Sequence, residues 1–370
     1  MNAKTLGPWR PLDLLVVALP VAIVARVLDL GAVVLFTFAA LAVIPLAGLV
    51  GRSTEVLTET VGGSKGALLN ATFGNMAELM IAALLVLNGE IAVLKASITG
   101  SIIGNLLLLL GVAMIVAAHN KGEVAITATS QVQSTMLFLS IGILLLPTVF
   151  SFRPESSTTR LDEVSWLVAL ILFTVYSLSM LFMLRTNRSL FRTDPSGRER
   201  EGHVEPTASR DHTSSQSWSV KGALIVLGIA TVLVAIAAEF VASSVQEAGA
   251  SLGLHSGFIG FVILPLVGNA AEQFSALALA AKDKLDIASE IAVGASMQLA
   301  MLVVPILVLL GAVTGHPFDL AFSPLELTAL TIGTLLTRQL LDDGKTNWLE
   351  GVMLLGLYLA FAGAVFFADI

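Results

Sequence analysis

The residues in this chain best placed to do chemistry are Glu78 and Glu272, two carboxylates that each lie inside an otherwise apolar segment. Residues 66–87 read GALLNATFGNMAELMIAALLVL, with Asn70, Thr72, Asn75 and Glu78 as their polar members; residues 264–279 read LPLVGNAAEQFSALAL. An ionised carboxylate at bilayer depth costs about 2.5–3.5 kcal/mol on insertion scales, so a chain that keeps two of them has a use for them. Their surroundings repeat. Gly74-Asn75-Met76-Ala77-Glu78 aligns with Gly268-Asn269-Ala270-Ala271-Glu272. On a helix the Asn and the Glu, three apart, share one face. The preceding glycine leaves room for close backbone approach.

The segments that follow the two motifs also match. Residues 96–111, ASITGSIIGNLLLLLG, carry Ser97, Thr99, Ser101 and Asn105; residues 291–302, IAVGASMQLAML, carry Ser296 and Gln298. Asn105 and Gln298 occupy corresponding places. Ser101 and Asn105, like Gly294 and Gln298, are four apart and share a helix face. Carboxylates, amides and hydroxyls make an all-oxygen donor set, which suits a hard cation: Ca²⁺ takes six to eight oxygens in irregular geometry, whereas Mg²⁺ demands a stricter octahedron. The motifs contain neither His nor Cys, which disfavours Zn²⁺ or Cu⁺. Two glutamates neutralise one divalent cation, and each can take a proton when no cation is near. Competition between cation and proton for one site is the minimal requirement of an exchanger.

The elements that must carry these residues are membrane spans. Hydrophobic residues make up 56% of the chain and charged residues 13%, and mean hydropathy is +0.89, the profile of a polytopic membrane protein. The net charge of -7 says little, because most charges fall in short loops. The chain has no cysteine, which excludes disulfides and thiolate sites. The first apolar run is expected to be a retained helix, since no small-residue cleavage site follows it. At about 20 residues per span, the expectation is eleven: 12–28, 31–51, 66–88, 95–118, 130–150, 163–184, 220–245, 257–281, 287–313, 324–341 and 347–367. Pro20, Pro45, Gly104, Pro265, Gly294 and Pro305 mark places where a span can be interrupted. The polar stretch 185–218 reads as a flexible linker. The fold expected is an all-α polytopic membrane protein: an N-terminal helix (1–30), a five-helix repeat (31–184), a cytoplasmic linker (185–218) and a second five-helix repeat (219–370).

Lys and Arg set the expected orientation. With the N-terminus cytoplasmic, sixteen of the twenty basic residues fall inside, and only Arg26, Lys95, Arg153 and Arg160 fall outside. The C-terminus is then outside. The Glu78 span runs outward and the Glu272 span inward, so the motifs are antiparallel. That is the mark of an inverted-topology repeat, whose substrate site lies near the midplane where the repeats meet.

GALLNATFGNMAEL, ASITGSIIGNLLLLLG and ILPLVGNAAE followed by AVGASMQLAM resemble the calcium/proton antiporters of the calcium/cation antiporter superfamily. The likeness covers both repeat cores. It implies a ten-helix inverted-repeat core plus one N-terminal helix. It also implies Ca²⁺ export driven by inward proton flow through alternating access in the cytoplasmic membrane, with Glu78 and Glu272 as central ligands. The candidate ligand set is completed by Asn75, Asn269, Asn105, Gln298, Ser101, Gly74 and Gly268. Sodium/calcium exchangers share the fold but carry acidic residues where this chain has the neutral Asn105 and Gln298, which favours protons as the coupling ion.

Three features depart from the family pattern. Gln273 stands where a His is usual, 294–298 reads Gly-Ala-Ser-Met-Gln in place of Gly-Ser-Ser-Thr-Gln, and the linker mixes acids with arginines instead of being acidic. Two other readings of the same carboxylates are an exchanger coupled to Na⁺ or K⁺ and a cation channel. No nucleotide motif or nucleophile constellation supports an enzyme. Ca²⁺ and H⁺ are expected as cargo with no resident cofactor; the lipid bilayer is the expected partner, nucleic acid is not, and a homo-oligomer is left open. Glu55 and Glu59 are expected at the membrane interface.

Overall fold

The computed structural model describes residues 11–62, 66, 69, 72–119, 121–153, 158–185 and 219–368. Asn70, Lys65 and the linker residues 186–218, which entered the sequence reading, lie outside the described residues.

A 3-10 turn, Pro11–Val17, leads into α1, Ala18–Val27. Next come α2 (Ala32–Val61), α3 (Met76–Leu87), α4 (Ile91–Ala118), α5 (Ala128–Ser151) and α6 (Thr158–Arg185). The second half holds α7 (Val220–Leu252), α8 (Ser256–Gly268), α9 (Ala270–Ala280), α10 (Leu285–Thr314), α11 (Pro324–Leu341) and α12 (Trp348–Phe367). Among the described residues, seven of these helices are long and apolar enough to cross a membrane, or eight if the bent pair α8–α9 counts as one span. The chain is thus a polytopic, helical membrane protein. The expected count of eleven is not reached by length and composition: α1 and α3 are short, and α11 falls below the apolar threshold. Pro45 breaks nothing, since α2 runs through it as one helix of 30 residues.

Where the apolar faces go follows from position in the bundle. The span of α4 is 78% buried, whereas those of α6, α7 and α12 are 33% buried. Leu167, Leu170, Ile225, Ile229 and Val232 are correspondingly exposed, as side chains that meet lipid rather than protein. The first helices of the two halves, α2 and α7, pack along each other, and α4 packs against α8. At that crossing the backbones nearly touch. A Cβ on Gly260 would fall 2.7 Å from the Val93 carbonyl, and one on Gly100 would run into Phe261. This is the close approach that small residues permit between membrane helices.

One element departs from the all-helical reading. Strand β1 (Glu123–Ala125) pairs antiparallel with β2 (Lys345–Asn347), Val124 opposite Thr346. Asn347 ends β2 and also caps α12, accepting from the amides of Leu349 and Glu350. The contacts between loops sort the chain ends into two faces. On one face lie the β1–β2 pair, the ion pair of Arg52 with Asp13 (2.7 Å) and that of Lys121 with Asp283. On the other, Lys95 donates to Asp319 (2.6 Å) and to the Ala321 carbonyl (2.7 Å), and Gln246 donates to Glu90. Most of these pairings join segments that are distant in the chain.

Candidate cation site

The two motif copies adopt the same local backbone. Asn75 (φ -99°, ψ 25°) precedes the first residue of α3, and Asn269 (φ -97°, ψ 3°) that of α9. The sequence explains the break: glycine lowers helix propensity, and an Asn side chain competes for backbone groups. In the second copy the break is sharp, with α8 and α9 bent by 62°. Upstream, Ile259–Ile263 forms a π-helical turn ahead of Pro265, whose nitrogen cannot donate. Two further π-helical stretches, Gly104–Leu109 and Leu299–Val303, fall at the corresponding places after each motif. As a result each glutamate sits in the first turn of a helix, where free N–H groups and the helix dipole favour negative charge.

The motifs meet. A Cβ on Gly268 would lie 3.4 Å from Cγ of Glu78, so the first carboxylate side chain lies over the glycine of the second motif. A cavity of about 530 Å³ is lined by Gly74, Asn75, Glu78, Gly268, Asn269, Glu272 and Gln298. It extends from the exposed Glu55 and Phe274 to the buried Glu78 and Asn269. The Asn75 amide donates to Oε1 of Gln298 at 3.0 Å. Ser101 lies behind Glu78 in a separate void of about 10 Å³, shared with Ser97 and Gly268. Asn105, 1% exposed, lines neither space. Seven of the nine candidate residues therefore share one cavity, one lies just behind it, and one is set apart.

The polar atoms here are unusually short of partners. Both oxygens of Glu78, Oε2 of Glu272 and both side-chain polar atoms of Asn105 and Asn269 are buried with no hydrogen-bond partner among the described residues. Ser101 and Asn269 lie alongside the Glu78 carboxyl group without closing a hydrogen bond of ordinary geometry. Glu272 is close enough to Glu78 for their charges to interact. Two negative charges in one desolvated pocket repel, and either a metal ion or protons relieve the repulsion. Among the described residues no three His, Cys, Asp or Glu side chains gather, so the donor set is two carboxylates supplemented by amides and hydroxyls. That composition fits a hard, oxygen-seeking cation.

Three features escaped the sequence reading. Gln133 of α5 lines the cavity beside Gly294, its Oε1 buried and without a partner. Glu290, which accepts from Thr127 at 2.8 Å, stands at the cavity wall one helical turn before Gly294. Glu290 left a signal, as a carboxylate at the head of the apolar run 291–293, whereas Gln133, among Ser130, Gln131, Ser134 and Thr135, did not stand out. The Asp13–Arg52 pair, also on the cavity wall, left none, because its partners are 39 residues apart. Glu55, expected as an interface residue, lines the cavity as well.

The residues and geometry agree with what comparison shows. Residues 31–185 and 222–367 match the model of the sodium/calcium exchanger protein family, and the chain belongs to that family, within its calcium/proton antiporters. It is 37% identical over 355 residues to a Ca²⁺/H⁺ antiporter of Aphanothece halophytica, covering 95% of each chain. It is 36% identical over 360 residues to a Ca²⁺/H⁺ antiporter of a Synechocystis species, covering 95% of this chain and 96% of the other. Among solved structures, native YfkE superposes with a TM-score of 0.81 at 31% identity, over 96% of this chain and all of that one. This is a family of exchangers, not of enzymes.

Proposed function

We propose that the protein exports Ca²⁺ from the cytoplasm in exchange for H⁺ by alternating access, with Glu78 and Glu272 binding either one Ca²⁺ or protons. The observation that carries this reading is the arrival of two first-turn glutamates, from separate halves of the chain, in one cavity. Asn269, Asn75 and Gln298 are assigned as amide donors around the pair, Ser101 as a hydroxyl donor behind Glu78, and Gly74 and Gly268 as the positions that let the motifs approach. Asn105 is assigned to the shell outside them. The names of the relatives and the neutral side chains of Asn105 and Gln298 support protons over Na⁺ as the coupling ion.

The same reading carries eleven spans, one plus five plus five, in a cytoplasmic membrane, with the N-terminus inside and the C-terminus outside. Under that orientation the 530 Å³ cavity opens to the cytoplasm, and the α4–α8 crossing closes the far side.

The test is Ca²⁺ uptake into proteoliposomes with an imposed pH gradient. Uptake against the Ca²⁺ gradient in Na⁺-free and K⁺-free buffer, with proton release from the lumen, is the expected result. Uptake that requires Na⁺ or K⁺ would reassign the coupling ion, and dissipative flux alone would indicate a channel.

A further inference from the structure

We propose that Asp13, supplied by the N-terminal helix outside the two repeats, screens the positive charge of Arg52 in the cation's approach to the carboxylate pair. This rests on the Ca²⁺-binding reading above.

Arg52 and Asp13 both line the cavity that holds Glu78 and Glu272. Along α2, Gly48 touches Ala271 (a Cβ on Gly48 would lie 3.7 Å from that of Ala271), so Gly48 marks the level of the second motif. Arg52 is one turn further along the same helix, toward the exposed Glu55. A guanidinium is a poor neighbour for an incoming dication, and it does not lose its charge at any accessible pH. In this fold it is met by a carboxylate. Nη2 of Arg52 donates to Oδ1 of Asp13 at 2.7 Å; the Asp13 side chain is 4% exposed and that of Arg52 is 19% exposed. Asp13 sits on the 3-10 turn that opens the described chain, packed against α2. The neutralising charge thus comes from a segment that the repeats themselves do not contain. Glu55 lies three residues beyond Arg52 on the same helix and lines the same cavity.

A merely structural ion pair and a screening pair predict different signs. Breaking a structural pair from either end harms the protein, since each change removes a partner from a buried or half-buried charge. Under screening, Asp13→Asn leaves the positive charge of Arg52 facing the dication, whereas Arg52→Gln removes it. The experiment is initial-rate Ca²⁺ uptake in proteoliposomes for wild type, Asp13→Asn, Arg52→Gln, the double variant and Asp13→Glu, at about 20 mM and 500 mM choline chloride. Thermal unfolding in detergent is followed for each variant. Asp13→Asn is expected to raise the apparent KM for Ca²⁺ about tenfold at low salt and much less at high salt. Arg52→Gln is expected to lower KM or leave it unchanged. The double variant and Asp13→Glu are expected to return near wild type.

Equal loss in both single variants, a double variant no better than Asp13→Asn, or a salt-independent effect would overturn the proposal. If Asp13→Asn fails to fold, the proposal stands or falls on Arg52→Gln and Asp13→Glu. An elevated KM in Arg52→Gln would then refute it. Failure of wild type to move Ca²⁺ would instead refute the transport reading, so the two failures are separable.

Discussion

The two motif copies are near-identical in sequence and in backbone, yet they do not share an environment. Asn75 and Asn269 have φ of -99° and -97°, and each glutamate stands three residues on. Glu78 is nevertheless buried, with both oxygens buried and without a partner among the described residues, while Glu272 is half-buried. Asn75 is engaged by Gln298, whereas Asn269 has no partner among the described residues. The difference originates outside the motifs. The cavity reaches the pair from the side of the exposed Glu55 and Phe274, whereas behind Glu78 the described residues leave a void of only about 10 Å³. A two-fold pattern of residues is therefore held in an unequal arrangement.

Four measurements test whether the two copies are equivalent in function. The largest effect is expected from Glu78→Gln and Glu272→Gln, each lowering Ca²⁺ flux more than about 30-fold, the scale for losing one of two charged partners in a desolvated site. If one variant transports normally, the copies are unequal in role and not only in exposure. Next is pH. A protonated carboxylate has no charge for the cation, so acidifying the Ca²⁺-loading side should raise the apparent KM, by up to about tenfold per unit for each proton displaced. A flat profile between pH 6 and 8 would remove proton competition from the account.

Third, Asn269→Ala should raise KM about tenfold and Asn75→Ala about threefold. The first deletes a donor beside Glu78, whereas the second leaves Gln298 to reorient toward the cavity. The reverse order would exchange the roles of the two asparagines. Smallest is Gly268→Ala, whose added methyl would sit 3.4 Å from Glu78 Cγ. A roughly two- to fourfold loss of rate with unchanged unfolding temperature is expected, because contact at that distance displaces the Glu78 side chain slightly without the strain of an overpacked core. Gly48→Ala, with 3.7 Å to Ala271, serves as the matched substitution with little effect.

Much of this was legible in the sequence, for physical reasons. A buried carboxylate stands out against an apolar background because it is costly there, and a duplicated one stands out twice. The helix breaks at Asn75 and Asn269 follow from Gly-Asn, whose local chemistry is strong. Other features depend on partners distant in the chain. Glu123-Val124-Ala125 and Lys345-Thr346-Asn347 are too short to show strand periodicity, and they become strands only by pairing with each other. Asp13 reads as an ordinary interfacial acid until the fold brings Arg52 to it. Asn105 looks like a ligand by its spacing, but the turn of α4 takes it out of the cavity. Pro45 looks like a break, yet the helix absorbs it.

The six-residue ribbon of β1 and β2 carries a mechanical consequence. Its rungs stitch a connection of the first half to one of the second, on the face that also holds Arg52 and Asp283. Main-chain rungs shorten and lengthen very little, so this seam behaves as a fixed edge. In the alternating access proposed above, any movement of the halves would then pivot about this seam, with the widest excursion in helices remote from the stitching.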